Sequence, residues 1–508
     1  MTVLSQEQRA TSLEAMTSQK FDVLVIGGGV TGAGIALDAA ARGLSTAVVD
    51  AQDWAAGTSS RSSRLVHGGL RYLYNLDFKL VAEALRERGR LLTTIAPHLV
   101  EAQPFLWPLK TPVIERAYSA VGVGMYDALA RIGSKGRKTV PIQRHLSKAG
   151  AMRRFPEIKR NALVGAIEFY DARVDDARLV ITLIRTAVKY GAAAASRVKV
   201  TEVLKDGRGR ACGVKAVDLE NGNEFTIEAD RIINATGVWT EQTQDLAGGT
   251  GGLKVLTSKG IHIVIPRERL KATTGLFLRT EKSVLFIIPW QHYWVIGTTD
   301  TAWHEQLKHP VPTSEDIDYV LDHANEVLDP PLTRDDIIGT YAGLRPLLQP
   351  KVLDESKSTK VSREHTVTEV IPGMVAIAGG KLTTYRVMAE DAVNFALGQS
   401  LAKARPSVTA QLPLLGAEGF DAVENQARRL GVKYGFDADR LHHLVRRYGS
   451  ELPDLFAAID EDPSLGKPLE AAPQFLRAEV HRACAVEGAL HLEDILVSRV
   501  RLNSEARD

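Results

Sequence analysis

A chain of 508 residues is too long for one hydrophobic core, so two or three domains are expected. Hydrophobic content of 44% and charged content of 24% are those of an ordinary globular protein. The formal net charge of +2 gives no global basic field for nucleic acid, so an anionic ligand has to be held by local clusters.

The two cysteines, Cys212 and Cys484, lie far apart, which speaks against a disulfide framework or a metal-ligand cluster and for a reducing compartment. The first twenty residues carry no apolar core of a secretory signal. No run of about 18 apolar residues occurs, so no membrane-spanning helix is expected.

In chain order, "FDVLVIGGGVTGAGIALDAAARGLSTAVVD" predicts strand, turn, helix and strand. Val23 to Ile26 form a buried β-branched run, and Thr31 to Arg42 an Ala-rich helix that Gly43 can end. Gly27, Gly29 and Gly32 make a G-x-G-x-x-G turn that lets backbone approach a pyrophosphate at the helix N-terminus. Asp50 closes the second strand at the spacing that suits a ribose hydroxyl. The glycines alone are a weak signal; between strand and helix, with the acid in place, they are a strong one. They do not separate FAD from NAD.

Next comes "GTSSRSSRLVHGGLRYL", Gly57 to Leu73, which has neither helical nor strand periodicity. Thr58, Ser59 and Ser60 are small donors suited to a pyrophosphate or a flavin edge. His67 precedes Gly68-Gly69, where backbone can pass close to a flat ring, and Arg71 and Tyr72 follow. A polar surface loop is the plain alternative, and a lone histidine is more often structural than catalytic. Residues 77–96 read as a helix, 100–175 as irregular and Pro-rich, and "DARVDDARLVITLIRTAVKYGA" as a long helix. Within the irregular part, 117–138 is apolar and then basic, which suits either a membrane interface or a buried helix with a solvated turn.

Hairpin strands follow, turning at Asp206-Gly207 and Asn221-Gly222. "RIINATGVW" is a strand ending in the small residues Ala235-Thr236-Gly237. "SKGIHIVIP" holds Lys259 and His262, and "VLFIIPWQHYWVIGTTD" reads as two strands. Arg345 sits in the apolar "AGLRPLL", where an unpaired guanidinium is costly, so it needs a carboxylate or an anionic ligand. Arg363 follows in "KVSREHT". "AIAGGKLTTYR" is a strand, a Gly379-Gly380 turn and a helix start carrying Lys381, Thr383 and Thr384. From about 410 onward the pattern is helical.

Taken together, "VIGGGVTGAGIALDAAARGL", "TSSRSSRLVHGGLRYL", "VDDARLV", "NATGVW", "IGTTD", "AGLRPLL" and "GGKLTTYR" resemble the FAD-dependent glycerol-3-phosphate dehydrogenase family from about residue 20 to 400. The tail resembles its helical C-terminal domain more loosely, with Ser498-Arg499 where the family usually has two arginines. The resemblance implies an α/β fold: a Rossmann-like, doubly wound FAD-binding domain of the glutathione-reductase and D-amino-acid-oxidase type, an antiparallel-sheet substrate domain and a helical C-terminal domain. The expected boundaries are 20–100 with 175–260 and 335–400 for FAD, 100–175 with 260–335 for substrate, and 410–508 for the helical domain.

The implied reaction is oxidation of sn-glycerol 3-phosphate to dihydroxyacetone phosphate, with FAD accepting hydride and a membrane quinone accepting the electrons. The implied setting is a homodimer, peripheral on the inner face of the cell membrane, with no nucleic-acid partner. The cofactor set is Gly27, Gly29, Gly32, Asp50, Thr58, Ser59, Ser60, His67, Gly68, Val198, Thr236, Gly237, Gly380, Lys381, Leu382 and Thr383. The substrate positions are Arg71, Tyr72, Arg345, Arg363 and Lys381. His67 and His262 are both candidate bases, and Arg345 is assigned to the reacting oxygen or the phosphate. A glycerol-3-phosphate oxidase using oxygen, an amino-acid oxidase of the same fold and a non-catalytic FAD-binding protein are the alternatives.

Overall fold

The structure, a computed structural model, describes residues 2–69, 77–111, 124–126, 128, 140–248, 252–280, 284–349 and 365–504. The half expected to bind the cofactor is built on a six-stranded sheet in the order Thr366–Ile371, Met374–Ala378, Ile232–Asn234, Val23–Ile26, Thr46–Asp50, Ala193–Ser196. All neighbours pair in parallel except the first two. Both faces are covered, which is why Val23–Ile26 is apolar at every position. Val23, Val25, Val48 and Ile233 meet the helices Val30–Ala41, Asp176–Lys189 and Tyr385–Ala404. Leu24, Val49 and Ile232 point the other way, into a core shared with Met16 of helix Gln6–Ser18 and with Val214 and Ile227 of a three-stranded meander. That meander, Val198–Lys205, Ala211–Asp218 and Glu224–Glu228, turns where the Asp-Gly and Asn-Gly pairs lie.

The second half is a large sheet in which Val255–Pro266 lies between Tyr293–Gly297 and Gly339–Leu348, with Val284–Pro289, Gly275–Arg279, Val100–Leu109 and Gly165–Val174 following. Three expectations change here. Residues 100–109 and 165–174, read as irregular, are two paired strands of ten residues each. Pro104 and Pro108 are four apart, so both missing donors fall on one edge of their strand and the ladder on the other edge stays whole. The long helix starts at Asp176 rather than 171, because Asp175 caps it by accepting from the Arg178 N–H at 3.1 Å. Finally, Gly339–Leu348 belongs to the large sheet, beyond the expected boundary at 335.

The chain's last hundred residues form helices Phe420–Val432, Ala438–Tyr448, Leu452–Glu461 and Arg477–Ala485 around Leu444, Leu452, Leu455 and Phe456. Buried ion pairs join this unit to the cofactor half. Arg499 holds Asp53 through two bonds of 2.6 and 2.9 Å, Arg501 holds Asp176 at 2.9 Å, and Arg178 pairs with Glu487.

Candidate active site

The ends of Val23–Ile26, Thr46–Asp50 and Ile232–Asn234 open on a cavity of about 620 Å³. At its floor Gly27 takes φ +113°, and a Cβ there would lie 2.6 Å from the Ala235 carbonyl oxygen. The first turn of helix Val30–Ala41 faces the cavity, and Ser59 Oγ reaches across it to accept from the Val30 N–H at 2.9 Å. Asp50 accepts from the Gly28 and Gln52 N–H groups at 2.6 and 2.7 Å. Burial outweighs these bonds and pushes its carboxyl up to about 6. Val198, Thr236, Gly237, Gly380, Lys381 and Leu382 complete the wall.

Five expected cofactor residues lie off that wall: His67 and Thr383 line an adjoining cavity, and Gly32, Ser60 and Gly68 line neither. Gly32 is needed for packing, since a Cβ would sit 1.8 Å from the Gly27 carbonyl oxygen. The Ser60 side chain is buried away from the cavity, and its carbonyl accepts from Arg501 Nη2 at 3.0 Å. Gly68 donates its N–H to the Tyr126 hydroxyl at 2.7 Å, and Leu85 fills the space a Cβ would need.

A second cavity of about 210 Å³ adjoins the first and shares Ser59, Gly380, Lys381 and Leu382 with it. Its own wall includes His67, His262, Arg345, Ser63 and Thr383. Thr383 ties His67 by its backbone, accepting from the N–H and donating to the carbonyl, both at 3.1 Å. His262 is buried, with Nε2 2.9 Å from Ser63 Oγ and its ring stacked on Tyr341 at 4.7 Å. Burial, with Arg345 and Arg64 nearby, lowers its pKa to about 3, so the imidazole is neutral near pH 7. Arg345 donates to Thr298 Oγ1 at 2.9 Å and to the Thr299 carbonyl at 3.1 Å, and Asp300 lies at 3.3 Å. Gly260 leaves room for that guanidinium, which a Cβ would approach to 2.3 Å.

Lys259 is placed elsewhere: it pairs with Asp316 at 2.6 Å beneath the Trp303 ring. Arg71, Tyr72 and Arg363 lie outside the described residues. Sequence reasoning missed Ser63, Tyr341 and Trp239. Tyr341 stands directly opposite His262 in the register of Val255–Pro266 and Gly339–Leu348, a signal that exists only once those strands are paired. Trp239 lines the first cavity beside Gly57, two positions after the small residues Ala235-Thr236-Gly237.

Residues 22–386 match the family described as FAD dependent oxidoreductase, and residues 407–508 match the C-terminal domain of alpha-glycerophosphate oxidase. Glycerol-3-phosphate dehydrogenase 2 of Mycobacterium tuberculosis is 50% identical over 502 residues, 99% of this chain and 84% of its own. The chain belongs to the FAD-dependent glycerol-3-phosphate dehydrogenases. The human mitochondrial glycerol-3-phosphate dehydrogenase is 37% identical over 516 residues, 97% of this chain and 69% of its own. The FAD complex of the Bacillus halodurans glycerol-3-phosphate dehydrogenase superposes with a TM-score of 0.78 at 30% identity, covering 99% of this chain and 90% of that one. The cavity suits the cofactor this glycerol-3-phosphate dehydrogenase family uses: a glycine cradle without Cβ atoms, a helix N-terminus for the diphosphate, and a half-buried carboxyl at Asp50 for a ribose.

Proposed function

We propose that this protein oxidises sn-glycerol 3-phosphate to dihydroxyacetone phosphate, with electrons passing on to a membrane quinone. The observation that carries this reading is the meeting of the two cavities at Gly380–Leu382, with a neutral histidine and the basic side chains Arg61, Arg345 and Lys381 on the smaller one. When bound, FAD supplies the two-electron acceptor for the hydrogen leaving the substrate's secondary carbon. His262 takes the proton of the adjoining hydroxyl; its ring is fixed by Ser63 and Tyr341 and is already unprotonated. The loss of a proton and a hydride turns the alcohol into a ketone. Arg345 and Lys381 hold the phosphate or the developing oxyanion, and Arg71, Tyr72 and Arg363 join them on the strength of resemblance. We also read residues 20–400 as interleaved cofactor and substrate domains followed by a helical one, and the protein as a peripheral homodimer on the inner membrane face. No helix among the described residues is long and apolar enough to cross a membrane.

The test is an anaerobic titration with sn-glycerol 3-phosphate while the flavin absorbance is followed. Bleaching that reverses on adding a quinone analogue supports cofactor, substrate and acceptor together. Reoxidation by oxygen with stoichiometric peroxide, faster than by quinone, would replace the acceptor. A flavin bleached by glycine or D-alanine and not by glycerol 3-phosphate would overturn the substrate.

A further inference from the structure

The "VDDARLV" motif carries much of the family resemblance, yet neither Asp175 nor Asp176 reaches the two cavities. Asp175 has a local duty as the helix cap. Asp176 is completely buried, and beyond accepting from the Ala177 N–H at 2.9 Å in the first helical turn it reaches two distant segments. Its Oδ2 accepts from both the N–H and the hydroxyl of Ser62, at 3.0 and 2.7 Å. Its Oδ1 accepts from Arg501 of the C-terminal unit at 2.9 Å. The Ser62 carbonyl in turn accepts from the Tyr341 hydroxyl at 3.0 Å. Every polar group of Ser62 is therefore held, its hydroxyl also accepting from the Arg64 N–H at 3.0 Å, and its bonded partner Tyr341 and its chain neighbour Ser63 are the supports of His262. Ser63, the next residue, bonds Nε2, and Tyr341 stacks on the ring.

We propose that Asp176, itself fixed by Arg501, is a positioning residue that sets the Ser63–His262 pair through Ser62. The inference rests on His262 being the base. A carboxylate with both oxygens engaged on separate domains defines the loop's position more tightly than one hydrogen bond would, and a proton-transfer step is sensitive to sub-ångström displacement of the base. The link runs from the C-terminal unit to the substrate cavity without touching the cofactor cavity.

The test is steady-state kinetics on FAD-loaded holoenzymes. Asp176→Asn is expected to lower kcat about tenfold with KM within about twofold, and the same change in a His262→Gln background to alter kcat less than about twofold, because the two residues act as one unit. Ser62→Ala removes one hydroxyl and leaves the buried charges paired, so it serves where Asp176→Asn does not fold; a smaller loss in kcat, again absent in the His262→Gln background, is expected. Additive losses in the double variants overturn the inference and leave the base assignment standing. Wild-type kcat in Asp176→Asn, or a loss that saturating FAD restores, also overturns it. Wild-type kcat in His262→Gln alone overturns the base assignment, and the inference with it.

Discussion

A buried imidazole and a half-exposed guanidinium do different things at the same cavity. His262 is kept neutral by burial, so the unfolded chain binds more protons than the folded one between about 3 and 6.5. Its contribution to stability is therefore complete above pH 6.5 and is lost as pH falls. Between pH 7 and 5, wild type is expected to lose about 2 kcal/mol more than His262→Gln in denaturant unfolding. Equal losses would place the ring in water. Arg345 is held by Thr298, Thr299 and Asp300, so its removal leaves the strand intact but takes a cation from the cavity. Arg345→Ala is expected to cut kcat/KM for glycerol 3-phosphate by at least about a hundredfold, as for a charged ligand contact, while FAD stays bound. Wild-type kinetics would make the residue structural.

At the scale of elements, the first unit was legible because its evidence is local: four apolar residues, three spaced glycines and a terminal acid lie within thirty positions. Two glycines of that unit separate packing from flexibility. A Cβ on Gly32 would meet the Gly27 carbonyl oxygen at 1.8 Å, whereas Gly43 has open space and needs only its φ of +76°. Gly32→Ala is expected to abolish FAD retention, read from the absorbance of the purified protein, and Gly43→Ala to cost only about 1 kcal/mol with flavin retained. Similar flavin content in both would remove the cradle argument. The strand at 100–109 was illegible because Pro104 and Pro108 argue against a strand until the edge they occupy is known, and its pairing partner at 165–174 was lost with it. Helix Gln6–Ser18 was missed as well, because it buries only Ser12 and Met16 and so shows little apolar periodicity. The His262 environment was hidden for a further reason: its partners come from positions 63 and 341, and only register brings them to one place.

At the scale of the molecule, the cofactor half and the C-terminal unit are joined by charged groups that water does not reach. Arg499 is fully buried against Asp53, beside the Gly28 turn over which Trp54 lies. Removing one member of such a pair leaves the other charge stranded, so Arg499→Ala is expected to cost about 3–5 kcal/mol and to lower the single unfolding midpoint seen by calorimetry. A separate, earlier transition for the C-terminal unit would show that the pair does not couple the two.

The same contact has a consequence in time. Arg499 bonds Asp53 across 446 positions, so it leaves the ribosome long after the glycine cradle has been made. A nascent chain thus carries a finished dinucleotide turn whose supporting floor is still unsynthesised. Flavin capture becomes a property of the completed polypeptide, and chains stalled before Arg499 are expected to hold FAD weakly, as ribosome-bound flavin fluorescence would reveal. Tight flavin in such stalled chains would mean the cradle closes without its distant partner.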